Sequence, residues 1–316
     1  MKKAFEKLNL RDYGVLLGFL ALCIAISIAT PSFLGKQNIL NLLRQSSIIG
    51  IISAGMTFVI ISGNFDISVG AVAALAGAIT MKFATGGTNL FASMLLGVAI
   101  CAVIGLINGI VVAKINVPSL IATMAMVTIV RGLLLMLTGG YPITENIPIL
   151  DYIGNGYLFS IPIPVVIFFI VVLASFIVLN KTKFGRYVYS VGGNQEASKL
   201  NGINVDSHKV KVFIINAVLA GIAGIVLTGR LGTATAIAGE GYDMDAIASV
   251  VIGGTSVAGG SGSVLKTVIG VLLMSVINNS FNLLGIDVYF QYIFKWLIIL
   301  AAVGFDSYSK KKLASR

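Results

Sequence analysis

Residues 90–113 read LFASMLLGVAICAVIGLINGIVVA, and this stretch contains no charged side chain. A helix needs about 20 consecutive, mostly apolar residues to cross the hydrocarbon core of a bilayer. A run of this length without a charge is typical of a membrane span. Similar runs occur on both sides of it along the chain, so the sequence predicts a series of spans.

The amino-acid composition also indicates a membrane protein. Of the 316 residues, 57% are hydrophobic and 11% are charged, and the mean hydropathy is +0.98. A soluble domain carries about 25% charged residues. Because the apolar runs are spread almost evenly from end to end, we predict a single transmembrane domain over residues 1–316.

Ten apolar segments are candidate transmembrane helices, which predicts an all-α, polytopic membrane helix bundle. The segments are 13–30, 46–62, 67–84, 90–113, 117–138, 158–179, 212–231, 245–258, 264–284 and 289–306. The segment 245–258 is the weakest, and it could be a half-helix or a segment buried by its neighbours. Runs of Gly and Ala within several segments predict close helix packing, since small residues let helices approach each other in lipid.

The basic residues orient the predicted helices. Most of the 22 Lys and Arg lie in the N-terminus, in the loop 180–211 and in the C-terminal tail, outside the apolar runs. Cytoplasmic loops of membrane proteins carry such an excess. With six spans before the loop and four after it, the loop and both termini are predicted to be cytoplasmic, although Lys36 and Arg44 then fall on an external loop. The net charge of +10 is thus an orientation signal, and nucleic acid is not an expected partner.

Patterns for catalysis or metal binding are missing from the sequence. There is no P-loop motif, and the glycine-rich stretch 253–262 lacks the lysine of a phosphate-binding loop. His208 is the only histidine, and Cys23 and Cys101 lie far apart within apolar segments. The chain is therefore predicted not to be an enzyme and to hold no cofactor or metal of its own.

Polar side chains inside the predicted spans are candidates for a substrate pathway, because they are costly in a membrane and usually face the bundle interior. The candidates are Asn108, Asn278, Asn279 and Asn282. Uncharged amides suit a hydroxylated cargo better than an ion. The alternative is that these amides tie helices together by hydrogen bonds. Arg131, near the external end of a span, is interpreted as extending its charge outward.

Asp66 immediately precedes the apolar segment 67–84. A carboxylate at this position would meet free N–H groups and the positive end of the helix dipole. We therefore interpret Asp66 as a helix cap, with an ion-binding site as the alternative.

The loop 180–211 is the longest polar stretch of the chain. Within it, QEASKL at 195–200 predicts a short helix, with Asn194 as its N-cap and Gly202 as its stop. A short cytoplasmic helix lying across the bundle would give a soluble partner a docking surface. The alternative is a solvated loop.

Several short motifs occur in order along nearly the whole chain. They are GMT at 55–57, FDISVG at 65–70, FGRY at 184–187, GGN at 192–194 with EA at 196–197, LNGI at 200–203, YDMDAIA at 242–248, the glycine-rich run 253–262, and NN at 278–279 with NLLG at 282–285. Together they resemble the permease subunits of bacterial ABC sugar importers, in the branch that serves ribose, xylose, galactose, allose and autoinducer-2. The resemblance to ribose permeases is closest, especially across 242–292. Ile67 stands where the family usually has Leu, which is a conservative change.

The resemblance implies an ATP-driven importer of a monosaccharide in the cytoplasmic (inner) membrane, most closely of ribose. The permease would pair with a second copy of itself, with the sugar route between the two copies. A cytoplasmic ATPase would bind the ATP and Mg, and an extracytoplasmic binding protein would deliver the sugar. The loop 180–211 would hold the coupling segment that contacts the ATPase, formed by Gly192, Gly193, Asn194, Glu196, Ala197, Lys199, Leu200 and Gly202.

An ion-coupled secondary transporter of a small polar solute is the alternative of a different class. It would require carboxylates in the middle of spans, whereas Asp66, Asp243 and Asp245 lie near span ends. The identity of the sugar stays open at this point.

Overall fold

The computed structural model describes residues 10–291, 293–297, 300 and 304, with side chains described from residue 17 onward. In chain order the helices are α1 (Leu10–Ala29), α2 (Lys36–Ile61), α3 (Val69–Thr85), α4 (Leu90–Ala113), α5 (Ser119–Thr138), α6 (Pro148–Asn155), α7 (Ile163–Lys181), α8 (Lys183–Gly193), α9 (Gln195–Leu200), α10 (Val205–Leu231), α11 (Tyr242–Ile252) and α12 (Val264–Leu283). A short 3₁₀ helix, Pro31–Leu34, joins α1 to α2. Residues 288–291 and 293–297 are helical as well.

Two very short antiparallel strand pairs lie between the helices. They are formed by β1 (Ile143–Thr144), β2 (Tyr157–Leu158), β3 (Ile161–Pro162) and β4 (Thr233–Ala234). β2 pairs with β3 as a hairpin before α7. β1 pairs with β4, and Ile143 lies opposite Ala234. This second pair fastens the loop that follows α10 to the segment before α6.

Six helices in the described part of the chain are long and apolar enough to cross a membrane, namely α2, α4, α5, α7, α10 and α12. Residues 17–29 of α1 and the whole of α3 are apolar but shorter. The predicted helical membrane bundle is confirmed at this level, and the stretch 90–113 forms α4 with the predicted bounds. The total of ten spans and the side on which the termini lie stay predictions.

The segment 245–258 does not form one continuous helix. α11 begins after Gly241, whose φ is 79°, and it ends at Ile252, where the glycine-rich turn starts. Its 11 residues rise about 16 Å at about 1.5 Å per residue, which is about half of the hydrocarbon thickness. α11 is therefore a half-length helix, one of the two possibilities left open by the sequence. The last predicted span, 289–306, lies partly outside the described residues.

α2 lies at the centre of the bundle. In its most apolar window 94% of the residues are buried, against 28% in α4, in α5 and in α7. Two buried hydroxyls of α2 are satisfied within the helix, since those of Ser53 and Thr57 donate to carbonyls four residues earlier. Thr57 also bonds to Thr267 of α12 at 2.9 Å. The exposed apolar faces of α4, α5 and α7 are those that lipid would cover.

Glycines bring α3 and α10 into backbone contact. A Cβ added to Gly224 would lie 1.8 Å from the carbonyl oxygen of Ala73, and one added to Gly77 would lie 1.9 Å from Thr228 Oγ1. In lipid, such close approach is a main source of helix association, because apolar side chains gain little by leaving one apolar medium for another. The close packing expected from the Gly and Ala runs is present at this interface.

Candidate functional site

A cavity of about 610 Å³ lies between α3, α5, α11 and the loop 232–241. Its volume falls in the range of small-molecule sites, about 300–1,000 Å³. The backbones of α3 and the loop meet at its wall, where a Cβ on Gly70 would lie 2.3 Å from the carbonyl oxygen of Gly239. This approach is possible only with glycine at position 70, so the motif at 65–70 places its last residue at the cavity.

Charged side chains of both signs line this cavity. They are Arg131 from α5, Glu240 from the loop, Asp243 and Asp245 from α11, and Lys295 from the helical residues after α12. Such groups are costly in a membrane protein unless they are paired or face a water-filled path. Together they offer hydrogen-bond donors and acceptors from several directions, which suits a small solute with many polar groups.

Asp245 contacts two other side chains, those of Lys295 and Asn278. Its Oδ1 lies 3.1 Å from Lys295 Nζ, and its Oδ2 accepts a hydrogen bond of 3.4 Å from Asn278 Nδ2. Asp245 is only 5% exposed, and the Oδ1 atom of Asn278 has no hydrogen-bond partner among the residues that the structure describes. The cluster thus combines a paired carboxylate with a buried amide oxygen that has acceptor capacity left.

Arg131 holds the loop over the cavity. Its Nη1 atom donates to the carbonyl oxygens of Ala236 and Ala238, the latter at 3.0 Å. The guanidinium of Arg131 is therefore bound by the protein. The interpretation from the sequence, that it extends its charge outward, is corrected on this point. Because β4 anchors one end of the same loop and Arg131 its middle, the loop forms a fixed wall.

Trp296, the single tryptophan of the chain, also lines the cavity. It is 52% exposed. An indole ring offers a flat apolar face, and the C–H face of a sugar ring is an apolar surface of similar size. The cavity therefore combines hydrogen-bonding groups with one aromatic surface, which is a suitable environment for a cyclic polyol.

Asp66 lies next to the cavity but inside a closed hydrogen-bond cluster. Its Oδ1 accepts hydrogen bonds from the backbone N–H and hydroxyl of Ser68, and its Oδ2 accepts one of 2.9 Å from Asn216 Nδ2 on α10. Ser68, rather than Asp66, occupies the N-cap position of α3, and no side chain in the described part of the chain caps that helix. Asp66 thus fixes the turn before α3 and ties it to α10.

The four predicted pathway asparagines have separate surroundings, and none is among the described residues that line the cavity. Asn108 donates to Ser68 in the Asp66 cluster. Asn279 exchanges two hydrogen bonds with Asn38, which joins α2 to α12. Asn282 accepts from Gln291. Asn278 alone reaches the cavity, through Asp245, and a pathway role for these four residues stays a prediction.

Most residues of the predicted coupling segment lie at the surface. α8 and α9 follow α7 directly, and residues 193–197, 199, 200 and 202 are exposed. Leu200 has 90% of its surface exposed, although it is apolar. Gly192 is the exception, since a Cβ on it would lie 1.7 Å from the carbonyl oxygen of Ile61.

The short helix within the loop 180–211 forms as predicted. Asn194 Oδ1 accepts from the N–H of Ala197 at 2.9 Å, and Gly202 follows the helix with a φ of 77°. Ser198 fixes the inner face of α9, because its hydroxyl donates to the carbonyl of Asn194 and bonds to Ser190 of α8. His208 packs against Phe184 and Tyr187, which joins α8 to the start of α10.

Tyr189 connects α8 to the glycine-rich turn. Its hydroxyl donates to the carbonyl oxygen of Gly262 at 3.0 Å. Burial raises the pKa of the Tyr189 hydroxyl above its usual value. The hydroxyl therefore keeps its proton at neutral pH and remains a donor.

Sequence reasoning missed the charged wall of the cavity. Glu240, Asp243 and Asp245 fall within six residues between two apolar runs, and this density of carboxylates in a membrane protein was the available signal. The contact of Asp245 with Lys295 and that of Arg131 with the carbonyl oxygen of Ala238 join parts of the chain 50 or more residues apart, and no sequence spacing indicates them. Within the described residues, no group of three or more His, Cys, Asp or Glu is placed to hold a metal ion.

Comparison with known proteins agrees with a membrane permease. Residues 38–303 match the family described as branched-chain amino acid transport system / permease component. The chain is 44% identical to the ribose import permease protein RbsC of Haemophilus influenzae over 93% of this chain and 94% of the relative. It is 42% identical to RbsC of Bacillus subtilis, over 94% of this chain and 93% of the relative. It is 35% identical to the L-arabinose transport system permease protein AraH of Escherichia coli K12, over 95% of this chain and 92% of the relative. No solved structure gives a significant match.

Proposed function

Since the chain belongs to the family of branched-chain amino acid transport system permease components, we propose that it is the membrane subunit of an ATP-driven importer for ribose or a closely related sugar. The observation that carries the proposal is 39–44% identity over nearly the full length to ribose import permeases. The chain is a transport component of the inner membrane and not an enzyme.

The cavity is proposed as part of the sugar route. A sugar presents hydroxyl groups that both donate and accept hydrogen bonds, and the wall supplies carboxylates, two cations and an indole face. A transport site must release its solute, so weak binding by several polar groups is preferable to a tight site. Of the four predicted asparagines, Asn278 is the best supported, because it contacts Asp245.

The partners follow from the family and from the surface of the chain. Permeases of this family work with an ATPase subunit and with a substrate-binding protein. We place the ATPase, with its ATP and Mg, on α9 and the exposed residues beside it, including Leu200. The exposed apolar helix faces fit a second copy of the chain as well as lipid, and we propose a homodimer.

Proteoliposomes that contain the chain, its ATPase and its binding protein test this function. Uptake of labelled ribose should require hydrolysable ATP on the ATPase side, and omission of the ATPase should abolish it. Unlabelled ribose should compete better than arabinose or xylose. Leucine should not compete, and preferential leucine uptake would overturn the sugar assignment.

The ion-coupled alternative predicts the opposite dependence. Such a transporter would take up sugar without the ATPase when a proton or sodium gradient is imposed. The buried Asp66 is the residue such a mechanism would use, but its oxygens already accept hydrogen bonds from Ser68 and Asn216. Gradient-driven uptake without ATPase would contradict the importer.

A further inference from the structure

Three backbone segments meet at the first residues of the predicted coupling segment, Gly192 and Gly193. They are the end of α2 at 61–63, the end of α8 at 192–193 and the turn 259–262, and we call this contact the glycine junction. A hydrogen bond of 2.8 Å from Gly260 N to Ile61 O joins the first and third segments. The hydroxyl of Tyr189 joins α8 to Gly262 at 3.0 Å.

Six of the nine residues that form the glycine junction are glycines. A Cβ on Gly192 would lie 1.7 Å from Ile61 O and 2.7 Å from Gly260 N. A Cβ on Gly259 would lie 2.8 Å from Gly192 O, and one on Gly260 would lie 2.7 Å from the Cα of Gly193. The segments therefore touch backbone against backbone. Closely packed interiors transmit displacement, and at these contacts glycine lies directly against backbone atoms.

Two segments of the glycine junction, 61–63 and 259–262, lead along the chain to the cavity. Beyond the end of α2, the chain passes Asp66 and reaches Gly70, which forms the cavity wall against Gly239. The turn 259–262 is joined by residues 253–258 to α11, whose first turn supplies Asp243 and Asp245. The coupling segment thus contacts the end of α2 and the turn 259–262. Along the chain, the first leads to α3 and the second to α11, and both helices line the cavity.

We infer that Tyr189 and Gly192 are positioning residues that transmit movement of the coupling segment to α11 and to the turn before α3. This inference rests on the proposed importer function. Neither residue lines the cavity in the described structure. Their effect should therefore appear in the amount of sugar moved per ATP hydrolysed.

The test compares Tyr189→Phe and Gly192→Ala with the unaltered chain, each assembled with ATPase and binding protein in proteoliposomes. Tyr189→Phe removes only the hydroxyl, and we expect a two- to tenfold lower ratio of sugar uptake to ATP hydrolysis, as for the loss of one hydrogen bond. Gly192→Ala forces the segments apart, and we expect at least a tenfold lower ratio. Co-purification of the ATPase is measured on the same samples.

Matched controls come from elsewhere in the chain. Tyr152→Phe also removes a hydroxyl that donates to a carbonyl at 3.0 Å, in this case that of Tyr157. Gly132→Ala adds a methyl group in α5 where no described residue lies within 4 Å. Both controls should keep the ratio of the unaltered complex.

Each outcome decides the inference. An unchanged ratio in Tyr189→Phe and Gly192→Ala would overturn it, even if the unaltered complex imports ribose. If Gly192→Ala does not assemble, the ratio for Tyr189→Phe decides alone, because that variant adds no atoms. No ATP-driven uptake by the unaltered complex would overturn the proposed function and this inference together.

Discussion

A buried carboxylate in a membrane bundle needs neighbours that stabilise it, and Asp66 and Asp245 differ in the neighbours they have. Within the described residues, Asp66 accepts hydrogen bonds from uncharged groups, on Ser68 and Asn216, and it is 1% exposed. Asp245 pairs with the ammonium group of Lys295 at the edge of a cavity. The first arrangement suits a fixed structural role, and the second suits a residue that a polar solute can approach.

We predict that Asp245→Asn lowers sugar uptake about 10- to 100-fold. The substitution keeps the shape but removes a charged acceptor, and a hydrogen bond to a charged group contributes about 1.5–3 kcal/mol. It also leaves Lys295 without its partner. Initial rates of ribose uptake in proteoliposomes measure the effect. Glu145→Gln, at an exposed position, is the matched control, and an Asp245→Asn rate equal to that control would contradict the prediction.

At the scale of the element, the contact between α3 and α10 sets how closely the central helices approach. We predict that Gly224→Ala destabilises the protein by about 1–3 kcal/mol, as for overpacking of a filled interior. The added methyl group would lie 1.8 Å from the carbonyl oxygen of Ala73. Thermal unfolding in detergent measures this loss against Gly132→Ala. A melting temperature of Gly224→Ala at or above that of Gly132→Ala would show that the interface tolerates a Cβ.

The helix α9 is the element proposed to bind the ATPase, and Leu200 is its most exposed apolar residue. We predict that Leu200→Ser weakens ATPase binding about 10- to 100-fold, because burying a leucine side chain contributes about 1.5–3 kcal/mol. With 90% of its surface exposed, its loss should leave thermal stability unchanged. Titration of detergent-solubilised permease with ATPase measures the affinity. Equal affinity of variant and wild type would remove Leu200 from the interface.

The elements show which features the sequence could predict. α4 and α9 can be predicted from the sequence because their signals are local. For α4 the signal is an uninterrupted apolar run, and for α9 it is QEASKL with Asn194 before it and Gly202 after it. The shortness of α11 and the hold of Arg131 on the loop 232–241 depend on contacts between distant parts of the chain. Periodicity carries no information about such contacts. The sequence shows that the predicted asparagines are polar groups in spans. It does not show their hydrogen-bond partners, because these lie in other elements.

At the scale of the whole molecule, the charge pattern predicts sidedness. We predict that a cysteine at position 196 reacts with a membrane-impermeant maleimide only from the cytoplasmic side, and one at 145 only from outside. Each single variant, Glu196→Cys or Glu145→Cys, is made with Cys23→Ser, while Cys101 is fully buried and is kept. Right-side-out and inside-out vesicles provide the two sides. Labelling of both positions from the same side would contradict the predicted topology.

In the proposed importer, sugar crosses the membrane through this chain, by way of the cavity, when the ATPase works. Ile237 lines the cavity and is 73% exposed, whereas Tyr141 is 79% exposed outside it. The most direct measurement is ATP-driven ribose uptake by proteoliposomes that carry Ile237→Cys or Tyr141→Cys, each with Cys23→Ser, before and after reaction with a bulky maleimide. We predict that modification at 237 stops uptake and that modification at 141 leaves it unchanged. Undiminished uptake after complete modification at 237 would show that sugar does not pass through the cavity.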